Sequence, residues 1–107
     1  MAKYLIKASY NVEGVKGVMK AGGTSRVEAV KKAISGVGGT VESFYFAFGG
    51  ADVYVTVDAP SNLAAAAMAT AVSSSGAIAR YETVVLLSPD EIDEAMKMAV
   101  SYAPPGS

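Results

Sequence analysis

The chain has 107 residues, 9 basic and 10 acidic side chains, and a formal net charge of −1. Its 51% apolar and 18% charged residues suit one compact domain with a core of its own. It contains neither cysteine nor histidine, which excludes disulfides, thiolate nucleophiles, zinc–thiolate and iron–sulfur sites, Ser-His dyads and imidazole ligands. Carboxylate, lysine, arginine, tyrosine, serine and the backbone remain for chemistry.

Residues 3–10, KYLIKASY, set Tyr4, Ile6 and Ala8 on one side and Lys3, Lys7 and Ser9 on the other, the alternation of a strand with one better buried face. In residues 12–20, Val12, Val15, Val18 and Met19 recur at helical spacing, with Gly22-Gly23 as the stop. Ser25-x-x-Glu28 reads as a capping box opening a second helix, whose apolar stripe is Val27, Val30, Ala33, Ile34 and Val37. Gly38-Gly39 ends it. Residues 40–48, TVESFYFAF, read as a strand, Gly49-Gly50 as a turn, and ADVYVTVD as its hairpin partner. Ser61 is the expected N-cap of an alanine-rich helix over 63–72, and 77–87 reads as a fourth strand. Ser88, Pro89 and Glu91 then supply N-cap, first helical residue and capping-box acid for a closing helix.

The order β-α-β-β-α-β-α, with the first α allowed to break in two, predicts an α+β, ferredoxin-like fold. It has a four-stranded antiparallel sheet, helices on one face and an extra C-terminal helix. Residues 1–100 are expected to form this single domain and 101–107 a flexible tail. The uncovered sheet face must meet water, a ligand or another chain. Val53, Val55 and Val57 read as the helix-facing set and Asp52, Tyr54 and Thr56 as the outward set. On the preceding strand the smaller residues Val41, Ser43, Tyr45 and Ala47 fit under helices more easily. That reading places Phe44, Phe46 and Phe48 on the open face, an apolar patch that self-association into a dimer or higher oligomer would cover. The opposite parity would make these phenylalanines plain core.

The stretches AKYLIKASYNVEGVKGVMKAGG, ESFYFAFGGADVYVTVDAP and AAAAMATAVSSSGAI together resemble the GYD domain family over about Lys3 to Met98. The motif that names the family falls on Gly50-Ala51-Asp52, with Ala51 in place of the tyrosine. The resemblance implies a ferredoxin-like fold of the dimeric α/β-barrel type and an oligomer, and little about activity.

The candidate ligand-binding residues are Lys7, Phe44, Phe46, Phe48, Asp52, Tyr54 and Arg80. Asp52, after a Gly-Gly turn, either caps N–H groups of its own hairpin or serves as a base or ligand anchor. Arg80 either pairs with Glu82 or clamps a ligand carboxylate. Lys7 reaches the same face, as a cross-strand charge partner. Three functions fit: a small oligomeric protein binding an apolar or aromatic ligand at the sheet face, a cofactor-independent enzyme with acid–base chemistry, or a self-association module. The first is the expectation.

No metal site or cofactor is expected. The glycine pairs lack phosphate-loop spacing, and Asp90, Glu91, Asp93 and Glu94 suit the start of a helix better than a cation site. The densest basic stretch, Arg26, Lys31 and Lys32, is too thin to track a phosphate backbone, so no nucleic-acid partner is expected. Lysines interrupt the apolar N-terminus, and Leu63–Val72 is far shorter than the ~20 residues of a membrane span. A cytoplasmic protein without a membrane partner is the expectation.

Overall fold

The computed structural model describes residues 1–106. Its elements run β1 (Ala2–Tyr10), α1 (Val12–Ala21), α2 (Gly23–Gly36), β2 (Thr40–Phe46), β3 (Val53–Ala59), α3 (Asn62–Ser73), β4 (Ile78–Leu86) and α4 (Pro89–Met96). The strands form one sheet in the order β2-β3-β1-β4, with every neighbouring pair antiparallel. This α+β architecture is consistent with the ferredoxin-like fold expected from the sequence. Beyond Met96 the chain forms no further helix or strand through Gly106, and Ser107 of the expected tail lies outside the described residues.

The two central strands decide which face is covered. Tyr4, Ile6 and Ala8 of β1 stand beside Val57, Val55 and Val53 of β3, and all six are buried. Ile34 of α2 and Ala65 and Met68 of α3 pack on that side and close the core. Fully burying such aliphatic side chains contributes roughly 1.5–3 kcal/mol each. The Tyr4 hydroxyl is satisfied by donating to Asn62 Oδ1 at 2.6 Å, at the start of α3.

The first helical segment does break in two. Gly22 adopts φ 88°, serving as C-cap of α1 and N-cap of α2. The capping box expected at Ser25-x-x-Glu28 does not form, because α2 already begins at Gly23. Ser25 lies inside the helix and its hydroxyl donates to the Gly22 carbonyl at 3.0 Å. Asn11, not singled out from the sequence, caps α1: its Oδ1 accepts from Gly14 N–H at 2.9 Å. The Asn11 side-chain amide also donates to the Gly76 carbonyl at 2.7 Å, tying α1 to the turn before β4. Ser61 and Ser88 cap α3 and α4 as expected, and Ser88 and Glu91 complete a reciprocal capping box.

The parity expected for β2 is corrected. The register against β3 shifts between Val41 and Ser43, so the ladder pairs Val41 with Val57, Ser43 with Thr56 and Phe44 with Val55. The extra residue, Glu42, forms a bulge that reverses the alternation beyond it. Phe44 and Phe46 therefore turn toward the helices, where Phe44 packs on the core and the Phe46 ring lies against Gly23. Phe48 stands beyond the end of β2 and is fully exposed. The phenylalanine patch expected on the open face does not exist.

Charged and hydroxyl side chains occupy that face instead. Lys3 bridges Glu42 on β2 and Asp58 on β3, and these hydrogen bonds, Glu42 first, raise its pKa. Ser43 and Thr56 hydroxyls bond across β2 and β3. Among the described residues no helix is long and apolar enough to cross a membrane.

Two glycines of α1 give a paired test of this packing. A Cβ at Gly14 would fall 2.1 Å from the Ala77 carbonyl oxygen, whereas one at Gly17 would meet nothing within 4 Å. Gly17→Ala is expected to raise stability by about 0.5–1 kcal/mol through helix propensity. Gly14→Ala should lower the melting temperature, because backbone must move to admit the methyl group. Thermal unfolding of the two variants beside the parent chain checks both signs.

Candidate functional site

The expected site residues divide among three places. Lys7, Tyr54 and Arg80 share the open sheet face. Lys7 stands opposite Tyr54 on β3 and Glu82 on β4, with its ammonium 5.9 Å from the Tyr54 ring centroid. Arg80 Nη2 reaches Glu82 Oε1 at 3.0 Å, and Lys7 Nζ lies 3.9 Å from the other Glu82 oxygen. Lys7, Ser9, Arg80 and Glu82, with Gly50 and the buried Ala51, line a shallow cavity of about 140 Å³. Glu82 already partners both cations, so this cavity presents a satisfied ionic row to any ligand.

Asp52 lies elsewhere. Its Oδ2 accepts from Tyr10 N–H at 2.9 Å, at the end of β1 where the register against β4 shifts by one residue, Ala79. Its own N–H donates to the Ala8 carbonyl at 2.9 Å, and its carbonyl accepts from Ala47 N–H at 2.8 Å. The capping role expected for Asp52 is thus directed at the neighbouring strand rather than at its own hairpin. The carboxylate faces a groove with Phe46 and Phe48, separate from the cavity of Arg80 and Lys7.

The most distinctive chemistry lies between the helices and the sheet. A cleft runs between α1 and α2 on one side and the end of α3 with the start of β4 on the other. Its inner chamber, about 30 Å³, is walled by apolar side chains including Ile6, Val30, Phe44, Val53 and Met68. Its outer chamber, about 250 Å³, is bounded by Gly14, Val18 and Ala21 of α1 and by Ala77. Tyr10, Arg26, Val72 and Ile78 line both. Asn11 holds the outer end together, since its N–H donates to the Ala77 carbonyl at 3.0 Å while its side chain caps α1.

Two polar groups line the inner chamber without a partner. Arg26 Nε and Tyr81 Oη are shielded from solvent and donate to no acceptor at hydrogen-bond geometry among the described residues, the Thr83 hydroxyl lying near enough to the Tyr81 oxygen only to oppose part of its pKa rise. Arg26 has no carboxylate within salt-bridge distance there, and Glu13 at the outer rim is 3.9 Å from Lys16. Burial pushes the Tyr81 hydroxyl up to about 12, against a smaller opposing pull from Thr83, so it is protonated and able to donate near neutral pH. A shielded donor without an acceptor costs ~1–3 kcal/mol. A ligand with an acceptor group at this point would remove that cost.

Neither group stands among the candidate residues expected from the sequence. Arg26 appears there only as part of a thin basic stretch, yet it precedes Val30 by one turn and Ile34 by two, on the sheet-facing side of α2. Tyr81 alternates with Arg80 and Glu82, so it faces the helices when they face outward. Period and parity would have located both, had the helix stripe been extended toward its N-terminus.

A model of the GYD domain matches residues 4–96. No curated protein matches the chain.

Two consequences can be measured. Removing the Asp52 carboxylate (Asp52→Ala) leaves Tyr10 N–H without its acceptor and is expected to cost about 1–3 kcal/mol of unfolding free energy in urea. For Tyr81, the folded pKa of about 12 lies above the ordinary tyrosine value of 10.0, so the folded state retains the proton longer than the unfolded chain. Stability should therefore fall as pH rises between those values, and Tyr81→Phe should remove that part of the loss. Denaturation at pH 8 and pH 11 checks the sign.

Proposed function

The chain belongs to the GYD domain family, and we propose that it binds a small apolar or aromatic organic acid in the cleft between its helices and its sheet. The observation that carries this reading is the pair of unpartnered donors, Arg26 Nε and Tyr81 Oη, at one apolar chamber. A partly shielded guanidinium facing apolar walls favours an anionic acceptor with a hydrocarbon body over a sugar or a cation. The outer chamber, about 250 Å³, takes a body no larger than a single substituted ring. Val18, Val72 and Ile78 contact that body and displace water, while its carboxylate meets Arg26. The inner chamber, about 30 Å³, has the volume of one water molecule, which lets the Tyr81 hydroxyl reach the same carboxylate through a single bridge.

This reading keeps the ligand class expected from the sequence and moves its place. The open sheet face lacks the phenylalanines that motivated an apolar site there, and Glu82 occupies its cations. The Asp52 carboxylate is engaged by Tyr10 N–H, away from Arg80, which leaves the acid–base reading without an assembled pair.

The test is calorimetric titration with benzoate-class carboxylates, their neutral amides and the parent hydrocarbons. Carboxylates should bind and the neutral analogues bind at least about tenfold more weakly, matching the ~1.5–3 kcal/mol of a charge-assisted hydrogen bond. Arg26→Gln should abolish that preference, and Tyr81→Phe should weaken carboxylate binding several-fold without lowering stability at pH 7. Equal binding of acids and amides, or an unchanged preference in Arg26→Gln, would overturn the assignment.

A further inference from the structure

Asp52 carries a charge that the fold leaves unanswered. Its Oδ2 accepts from Tyr10 N–H at 2.9 Å, while its other oxygen has neither a hydrogen-bond nor an ion-pair partner among the described residues. The carboxylates on the strands differ in this respect: Glu42, Asp58 and Glu82 each meet a lysine or arginine. Asp52 is also held in place. Its N–H donates to the Ala8 carbonyl at 2.9 Å and its carbonyl accepts from Ala47 N–H at 2.8 Å, so the side chain is aimed before anything binds.

The groove that this carboxylate faces measures about 210 Å³ and is walled by Tyr10, Val15, Met19, Phe46 and Phe48. Phe46 is a fixed wall, its ring lying against Gly23 and 5.4 Å from that of Phe44. Met19 is 80% exposed and Phe48 fully so. Among the described residues no lysine or arginine lines the groove, and the Lys16 ammonium on the same helix lies 3.9 Å from Glu13. The result is one unpaired negative charge among aromatic and aliphatic side chains. Neither Arg26 nor Tyr81 lines this groove, which sets it apart from the cleft proposed for an organic acid.

Charge and wall chemistry together select a ligand class. An anion is repelled by Asp52, and a neutral hydrocarbon would cover the carboxylate without satisfying it. A small metal cation needs several oxygen ligands, and no group of three side chains able to hold one stands together among the described residues. An alkylated ammonium fits both parts of the surface. Its charge is spread over methyl groups that contact ring faces, while the carboxylate supplies the counter-charge. The groove is smaller than the ~300–1,000 Å³ of drug-sized pockets, which suits a compact head group rather than a large body.

We propose that the groove at the end of β2 is a second binding site, for a small quaternary or alkylated ammonium ion. Asp52 is its counter-ion, and Phe46 and Phe48 are its aromatic walls.

Chemical-shift titration of the isotope-labelled chain tests it. The probes are choline, its neutral carbon isostere (a tert-butyl group in place of the trimethylammonium) and potassium as a bare cation. Choline at millimolar concentration should shift the amides of Tyr10, Ala47, Phe48 and Asp52, and the isostere should bind at least about fivefold more weakly. Asp52→Asn keeps an acceptor for Tyr10 N–H, so the chain should stay folded by circular dichroism. In that variant choline should bind at least about fivefold more weakly and the isostere as before. Phe48→Leu removes a ring at an exposed position and should weaken choline about two- to fivefold. Equal binding of choline and isostere, potassium shifting the same amides as strongly as choline, or unchanged choline affinity in Asp52→Asn would each overturn the site. So would the absence of any shift with choline, or amide shifts that follow protein concentration without ligand and so place a second copy in the groove.

Discussion

The alternation of side chains along β1 and β3 is the constraint on which the rest of the molecule depends. Tyr4, Ile6 and Ala8 face Val57, Val55 and Val53 across the central ladder, so one face of the sheet is apolar before any helix arrives. A one-residue slip would exchange these residues for Lys3, Lys7, Tyr54 and Asp58 and leave the helices nothing to pack on. With the covered face decided, α2 and α3 have one place to go, and α1 follows through its contact with α2. The cleft between the helix pairs is a consequence of their unequal reach over that face. Ile34 and Met68 seal the centre of the core, while the end near Tyr10 and Ile78 is left for Arg26 and Tyr81.

A bulge of one residue at Glu42 has consequences out of proportion to its size. It turns Phe44 and Phe46 under the helices and frees Glu42 to meet Lys3 on the opposite side. Without it, strict alternation from Val41 would put Phe44 and Phe46 on the open face beside Glu42. The bulge therefore separates the two faces chemically: aromatic and aliphatic beneath the helices, ionic and hydroxylic on the other. It also brings the Phe46 ring against Gly23, where a Cβ would come within 2.9 Å, and so sets how closely the start of α2 approaches β2.

Arg26 and α4 are the two places where local and global order disagree. A guanidinium at the N-terminal end of an apolar stripe, with no carboxylate partner among the described residues, is not a solution that core packing alone would favour. A capped amphipathic helix that touches no core is another. In well-matched sequences each local choice supports the whole, and departures mark where something other than folding of a single chain is being served. Here one departure lines a cleft and the other lies on a projecting arm, at distinct places on the molecule.

What the sequence determined by itself was local and periodic. The alternation of β1 and β3, the Ser61 cap, the Ser88–Glu91 box and the hairpin about Gly49-Gly50 all depend on residues within a few positions of one another. Even the break between α1 and α2 was legible in the glycine pair, although its place at Gly22 displaced the cap pattern at Ser25. The tertiary structure decided what depends on partners distant in the chain. The Glu42 bulge exists because Ser43 pairs with Thr56 rather than with Val55, a register no window of β2 contains. Asp52 caps Tyr10 because the residue before β3 comes to rest beside the end of β1, and Arg26 and Tyr81 line one chamber although α2 packs over β2 at one edge of the sheet and β4 forms the other. Pattern within a segment is written in the chain, but which side chains share a cavity depends on how segments far apart in sequence come to rest on one another.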